Sequence, residues 1–318
     1  MNIAVVGCGW WGKNIINTLE EIELVKTVHI FDSDKESYAK FIRNRKVVFR
    51  DSLQDICNDP SIIGVCISTP PPTHYELTKL FLVNKKNVFV EKPPAYDVLQ
   101  LKELGNLATQ NNLIYMLDAL YLFQPPLQKI KKIFEEENIS DITSIQLFRI
   151  GDELRRSGAG LSRIQNTMFK NMNDVIDDLF FHDAGILIHL LGKVELIAID
   201  KLFLYDDKLC DTARIKFAKN NIDIEMTLSW TLVGRKRGVV IYAKDSIIEY
   251  DALKTENQIS VYSLSEMEYQ YFNFINSPPL RNMLDYFTTT ILNKSENFLD
   301  HNFMMSIMEL LEKIRYEK

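Results

Sequence analysis

The chain reads as an α/β protein, a doubly wound parallel sheet followed by an α+β domain of mainly antiparallel strands. Three observations lead there. Up to about residue 120, short uninterrupted apolar runs alternate with amphipathic stretches, as expected for strands buried on both faces between helices. Beyond that point, strand-like runs follow one another with short turns, the pattern of an antiparallel sheet. At 318 residues the chain is also long enough for two domains, on a prior of ~150 residues each. The boundary is set at 120, giving domains 1–120 and 121–318.

In the first domain the strands are "NIAVVG" (2–7), "TVHIF" (27–31), "KVVF" (46–49), "IGVCIS" (63–68), "NVFV" (87–90) and "LIYM" (113–116). Between them, "WGKNIINTLEEI" (11–22) and "HYELTKLFLVNKK" (74–86) repeat apolar residues at helical spacing. The second domain opens with a helix near 124–137 and the strand "ITSIQLFRI" (142–150). An irregular stretch, 151–172, precedes a helix near 173–191. The runs "VELIAIDKLFLY", "TARIKFA", "IDIEMTLSW", "GVVIYA", "SIIEYD" and "QISVYSL" then read as strands, and helices near 277–292 and 298–316 close the chain.

A net charge of −6 argues against a nucleic-acid or anionic-membrane partner. No apolar stretch reaches the length of a membrane span, and the first residues run straight into a strand, unlike a signal peptide. The four cysteines, Cys8, Cys57, Cys66 and Cys210, have no CxxC spacing, so reduced thiols and a cytoplasmic location are expected.

"VVGCGWWGKN" sets Gly7, Gly9 and Gly12 in G-x-G-x-x-G spacing between a strand and a helix. Such glycines permit a tight turn, close approach of backbone to a pyrophosphate, and tight helix–strand packing. The helix N-terminus, with Trp10 and Trp11, would aim its N–H groups at the phosphates. Asp32 ends the next strand, 20 residues after Gly12, where a carboxylate would accept hydrogen bonds from the adenine ribose. With Asp34 nearby and no Arg or Lys between them, a 2′-phosphate would be repelled, which favours NAD over NADP. After the fourth strand, "STPPPTHYE" places Ser68, Thr69 and Pro70 at the carboxyl edge, where ligands of such sheets bind. His74 is either a further cofactor contact or a surface residue at a helix start.

"VFVEKPPAYD" (88–97) ends the fifth strand on Glu91, Lys92 and two prolines that cannot continue a ladder. Taken with the glycine motif, Asp32 and "STPPPTH", this "VEKP" resembles the glucose–fructose oxidoreductase / inositol dehydrogenase (Gfo/Idh/MocA) family. The resemblance implies a Rossmann domain joined to a domain with a large, mostly antiparallel open sheet. It also implies a lysine, here Lys92, beside the nicotinamide and the substrate hydroxyl, with Glu91 in the same motif. A second family signature is an Asp and a His four residues apart on a helix. "DDLFFHDAGILIHLLG" supplies Asp178 and His182, and Gly192 follows ten residues later. Spacing of four puts both side chains on one helical face. A zinc site from His182, Asp183 and His189 is the weaker reading, because no further His or Cys has supporting spacing. Around 118–119 the chain carries Asp-Ala where many members have Gly-His, so substrate contacts are not carried over from that loop.

Oxidising a secondary alcohol needs a base for the hydroxyl proton, and an imidazole of unperturbed pKa ~6.5 suits the task. His182 is the expected acid/base, Asp178 its companion, and Lys92 the stabiliser of the developing alkoxide. "HDAGILIHLLG" and the "SW" strand are similar to a subgroup that handles nucleotide sugars for surface polysaccharides. Arg155, Arg156, Arg163 and Lys170, with Arg235 and Lys236, are candidate ligands for such a substrate's phosphates, or else solvated loop charges. The resemblance further implies a homodimer or homotetramer. Two alternatives stay open: a cofactor-binding regulator without turnover, and a reductase of a cyclitol, linear polyol or imine.

Overall fold

A computed structural model describes residues 1–34, 46–136, 142–151, 174–204, 210–256, 258–274 and 277–317. They form two compact units, Met1–Phe123 with Ser277–Glu309, and Gln124–Asn276 with Leu310–Lys318.

The first unit is built on β1 (Asn2–Val6), α1 (Trp10–Glu21), β2 (Thr27–Phe31), β3 (Val47–Phe49), α2 (Leu53–Asn58), β4 (Ile62–Ile67), α3 (His74–Val83), β5 (Asn87–Val90), α4 (Val98–Gln110) and β6 (Tyr115–Leu117). The six strands pair in parallel in the order β3-β2-β1-β4-β5-β6. The order reverses between β1 and β4, and a crevice at such a reversal is where this architecture takes ligands. Ile3 to Val5, Val65 to Ile67 and Val88 to Val90 are fully buried, and each large side chain among them contributes ~1.5–3 kcal/mol. Local signals set the helix starts: Ser52 and Asp55 form a capping box on α2, and Asp97 accepts from the Gln100 amide ahead of α4.

The helix α7, taken here as Pro279–Asn293, belongs to this unit, although the sequence reading gives everything beyond 120 to the second domain. Its apolar face covers the parallel sheet, with Phe287 and Phe89 rings 5.7 Å apart. A side chain at Gly64 would meet Ile291 and Phe287, at 3.2 and 3.4 Å.

The second unit comprises α5 (Pro125–Glu136), β7 (Ile142–Ile150), α6 (Val175–Leu191), β8 (Glu195–Leu202), β9 (Thr212–Lys219), β10 (Ile222–Ser229), β11 (Lys236–Ala243), β12 (Ser246–Asp251), β13 (Ile259–Ser263) and β14 (Glu268–Phe272). Its eight strands run β14-β13-β12-β11-β7-β10-β9-β8, antiparallel except for the parallel pair β7–β10. α6 packs on β7, β9 and β10, with Phe180 against Phe217 at 6.4 Å. Asp174 caps its start by accepting from the Ile176 and Asp177 amides, and Gly192 ends it at φ 74°.

Candidate active site

At the carboxyl edge of the first unit's sheet, the glycine turn is fixed by contacts only glycines allow. Gly7 has φ 93°, and a side chain there would sit 2.7 Å from the Ser68 carbonyl oxygen. A side chain at Gly12 would lie 1.9 Å from the Gly7 carbonyl oxygen. Gly9 differs: a Cβ there meets nothing within 4 Å. Packing of the protein does not require a glycine at position 9. The opening at α1's N-terminus, which has no side-chain cap, is a cradle that a Cβ would begin to fill. Backbone N–H groups facing such a space suit a phosphate, so the residues present fit a dinucleotide.

Asp32 closes the turn from the side. Its Oδ2 accepts from the Cys8 amide at 2.5 Å, and its Oδ1 from the Asp34 amide at 2.9 Å. Each carboxylate oxygen has further lone-pair capacity for a ribose hydroxyl. The Cys8 thiol is pushed up to about 12 by burial and by the Asp32 charge, so it is no nucleophile; all four cysteines are free and buried.

The loop after β4 is tied to the glycine turn through Ser68, whose amide donates to Val6 and whose hydroxyl donates to Gly7 at 2.8 Å. Thr69 and Thr73 hydroxyls pair at 2.6 Å around a short 3₁₀ turn, Pro71–Thr73. His74 is fully buried. Its Nδ1 lies 2.7 Å from the Pro93 carbonyl oxygen and its Nε2 2.7 Å from that of Thr69. This corrects one of the two sequence readings of His74, which is not a surface residue.

Lys92 stands at the end of β5, half-buried, and the Lys92–Pro93 bond is cis. The register Val90↔Leu117 between β5 and β6 brings Glu91 and Asp118 next to one another, which the sequence did not reveal. Burial pushes the Glu91 carboxyl up to about 7, with Asp118 adding to the rise and Lys92 opposing it. Burial likewise pushes Asp118 up to about 6, against a hydrogen bond from Trp11, one from the Leu120 amide and the Lys92 charge. The Trp11 indole N–H donates to Asp118 Oδ2 at 2.6 Å. Trp11 therefore anchors α1 to the β6 end, while Trp10 beside it is 78% exposed.

In the second unit, Asp178 and His182 are both half-exposed on α6, on one face as their spacing requires. Asp178 Oδ2 accepts from the Trp230 indole at 3.2 Å. Asp183, the next residue after His182, is turned inward and held by both forks of Arg149, the second at 3.2 Å. The pair is 3% exposed on each side, and it takes Asp183 away from any zinc arrangement with His182 and His189. Arg235 directly precedes β11 and Lys236 is its first residue, both exposed, and the Lys236 ammonium lies 3.4 Å from the centroid of the Phe148 ring. Arg155, Arg156, Arg163 and Lys170 lie outside the described residues.

A parallel sheet with an open glycine cradle, an acid after β2 and a lysine after β5, together with an eight-stranded mixed sheet, defines a Rossmann-type dinucleotide-binding protein. Residues 1–119 match the Gfo/Idh/MocA model, an oxidoreductase family with an NAD-binding Rossmann fold. The 2,7-anhydro-N-acetylneuraminate hydratase of Escherichia coli is 22% identical over 61% of this chain and 50% of its own length. The scyllo-inositol 2-dehydrogenase (NADP⁺) of Bacillus subtilis is 25% identical over 46% of this chain and 41% of its own. The chain thus spans about half or less of these curated relatives. The whole fold is similar to the UDP-N-acetylglucosamine 3-dehydrogenase of Acidithiobacillus ferrooxidans, with TM-score 0.83, 18% identity, and coverage of 99% of this chain and 96% of that one.

Proposed function

We propose that the protein is an NAD-dependent dehydrogenase or reductase that moves hydride between nicotinamide and a ring hydroxyl or ketone of a sugar or nucleotide sugar. The observation that carries this reading is the open cradle at Gly9 on the same strand-end edge as Asp32 and Lys92. Asp32, with Asp34 two residues on and no Arg or Lys between them in the sequence, favours an unphosphorylated ribose and hence NAD. When bound, the nicotinamide supplies the hydride acceptor or donor.

The chain's own residues do the rest. The amides of the glycine turn and of α1 hold the pyrophosphate, and Ser68, Thr69 and Pro70 border it. Lys92 donates to the substrate oxygen and stabilises its negative charge as hydride leaves carbon. His182 takes the hydroxyl proton, and Asp178, itself oriented by Trp230, steadies the substrate or the imidazole. In reduction the same groups act in reverse. Arg235 and Lys236 are proposed phosphate ligands for a nucleotide-sugar substrate, in line with the dehydrogenase named above as a fold relative. We place the protein in the cytoplasm as a homodimer or homotetramer.

The test is NAD⁺ reduction followed by absorbance with a panel of UDP-, dTDP- and free sugars. Turnover with at least one nucleotide sugar, abolished by Lys92→Ala, is the expected result. NAD binding without turnover across the panel would return the regulator reading.

A further inference from the structure

His74 is an unusual donor problem. Both of its ring nitrogens face backbone carbonyl oxygens at 2.7 Å, and the side chain is wholly buried. A carbonyl oxygen only accepts. A neutral imidazole has one N–H and one lone pair, so one of the two contacts would set a lone pair against an oxygen at hydrogen-bond distance. Both contacts are attractive only when the ring carries two N–H groups.

The bonds extend into a chain along the site. Gly7 accepts from the Ser68 hydroxyl, Thr69 follows Ser68, His74 joins the Thr69 carbonyl to that of Pro93, and Pro93 follows Lys92. The ends of β1, β4 and β5 are therefore linked in one line from the glycine turn to the proposed catalytic lysine. On balance the His74 pKa is held below the ordinary histidine value, because burial lowers it more than the two carbonyl contacts raise it, so burial opposes the protonation that the two contacts call for. The charged groups at the neighbouring strand ends, Glu91, Lys92 and Asp118, act on one another and are not among the influences on His74.

We propose that His74 is a positioning residue, a doubly protonated staple between the backbone of Thr69 and that of Pro93 that fixes Lys92 relative to the bound cofactor. The role of Lys92 in this statement rests on the dehydrogenase reading; the state of the ring does not. Misplacing a reacting group by ~1 Å costs ~100-fold in rate, whereas cofactor binding depends mainly on the glycine turn and Asp32.

The ring is read directly by ¹⁵N NMR of the histidine-labelled full chain at pH 7, with the His74 signals assigned by their loss in His74→Gln. Two protonated nitrogens are expected, and one bare nitrogen overturns the staple whether or not the protein turns over a sugar. Kinetics test the positioning role. His74→Met is expected to leave the Kd for NAD within ~3-fold while kcat falls ~100-fold, and His74→Gln, whose amide offers two N–H groups, should recover at least ~10-fold of that loss. An unchanged kcat, or equal losses in kcat and NAD affinity, refutes positioning. Should the Met variant not fold, the NMR result and the Gln variant decide.

Discussion

Gly9 and Gly12 belong to one motif, yet a methyl group at each should do opposite things. At Gly12 the new Cβ would stand 1.9 Å from the Gly7 carbonyl oxygen and 2.7 Å from the Ser68 hydroxyl, against a comfortable separation of ~3.5 Å. Backbone of the turn or of α1 must move, at a cost of ~3 kcal/mol or more. At Gly9 the Cβ meets nothing within 4 Å, and φ −62° is open to any residue. Gly9→Ala should therefore keep stability within ~1 kcal/mol, the scale of an N-cap change. The methyl would instead occupy the space of the dinucleotide phosphates. Overpacking a close contact by one carbon costs ~1–3 kcal/mol, a ~5–150-fold rise in Kd. Urea unfolding and calorimetric titration with NAD on both variants separate the two effects. NAD binding by Gly9→Ala at wild-type affinity would refute the cradle, and full stability in Gly12→Ala would refute the packing.

Three further outcomes follow from the buried charges. Glu91 and Asp118 have folded pKa values raised above their unfolded ones, to about 7 and about 6; the fold favours their protonated forms, so their effect is to lower stability as pH rises between ~4 and ~7. Asp118→Asn should remove ~3 kcal/mol of that decline, read from urea midpoints across the window; an unaltered slope counts against the carboxyl pair. Arg149→Met strands the buried Asp183 carboxylate and should cost ~3–5 kcal/mol, mostly restored in the double variant with Asp183→Leu; a single variant as stable as wild type contradicts the assigned pair. Trp230→Phe keeps the ring but loses the bond to Asp178, so kcat should fall ~2–10-fold with NAD affinity unchanged, and a normal kcat would free Asp178 from that dependence.

The first unit was legible because its strands are buried on both faces, so they stand out as unbroken apolar runs between helices. The glycine motif and "VEKP" are equally local. Asp178 and His182 were singled out by the family resemblance, and their four-residue spacing puts both on one helical face. What escaped depends on distant pairing. Trp11 and Asp118 meet across 107 residues, and Glu91 meets Asp118 only through the β5–β6 register. The parallel pairing of β7 with β10 joins strands far apart in the chain. β14 went unread because its tyrosines are exposed, Tyr269 at 59% and Tyr271 at 53%, with no buried face to make an alternating apolar pattern. α7 was assigned to the wrong unit since amphipathic spacing reveals a buried face but not the surface it covers.

The central claim, that Lys92 stabilises charge on the oxygen of a sugar during NAD-dependent hydride transfer, is met most directly by comparing wild type with Lys92→Met in the NAD⁺ reduction assay. Wild-type turnover with a sugar or nucleotide sugar, falling ~100–1,000-fold in the variant while the Kd for NAD holds, is the expected result. Equal turnover by the two proteins, or none by wild type on any sugar of the panel, would contradict it.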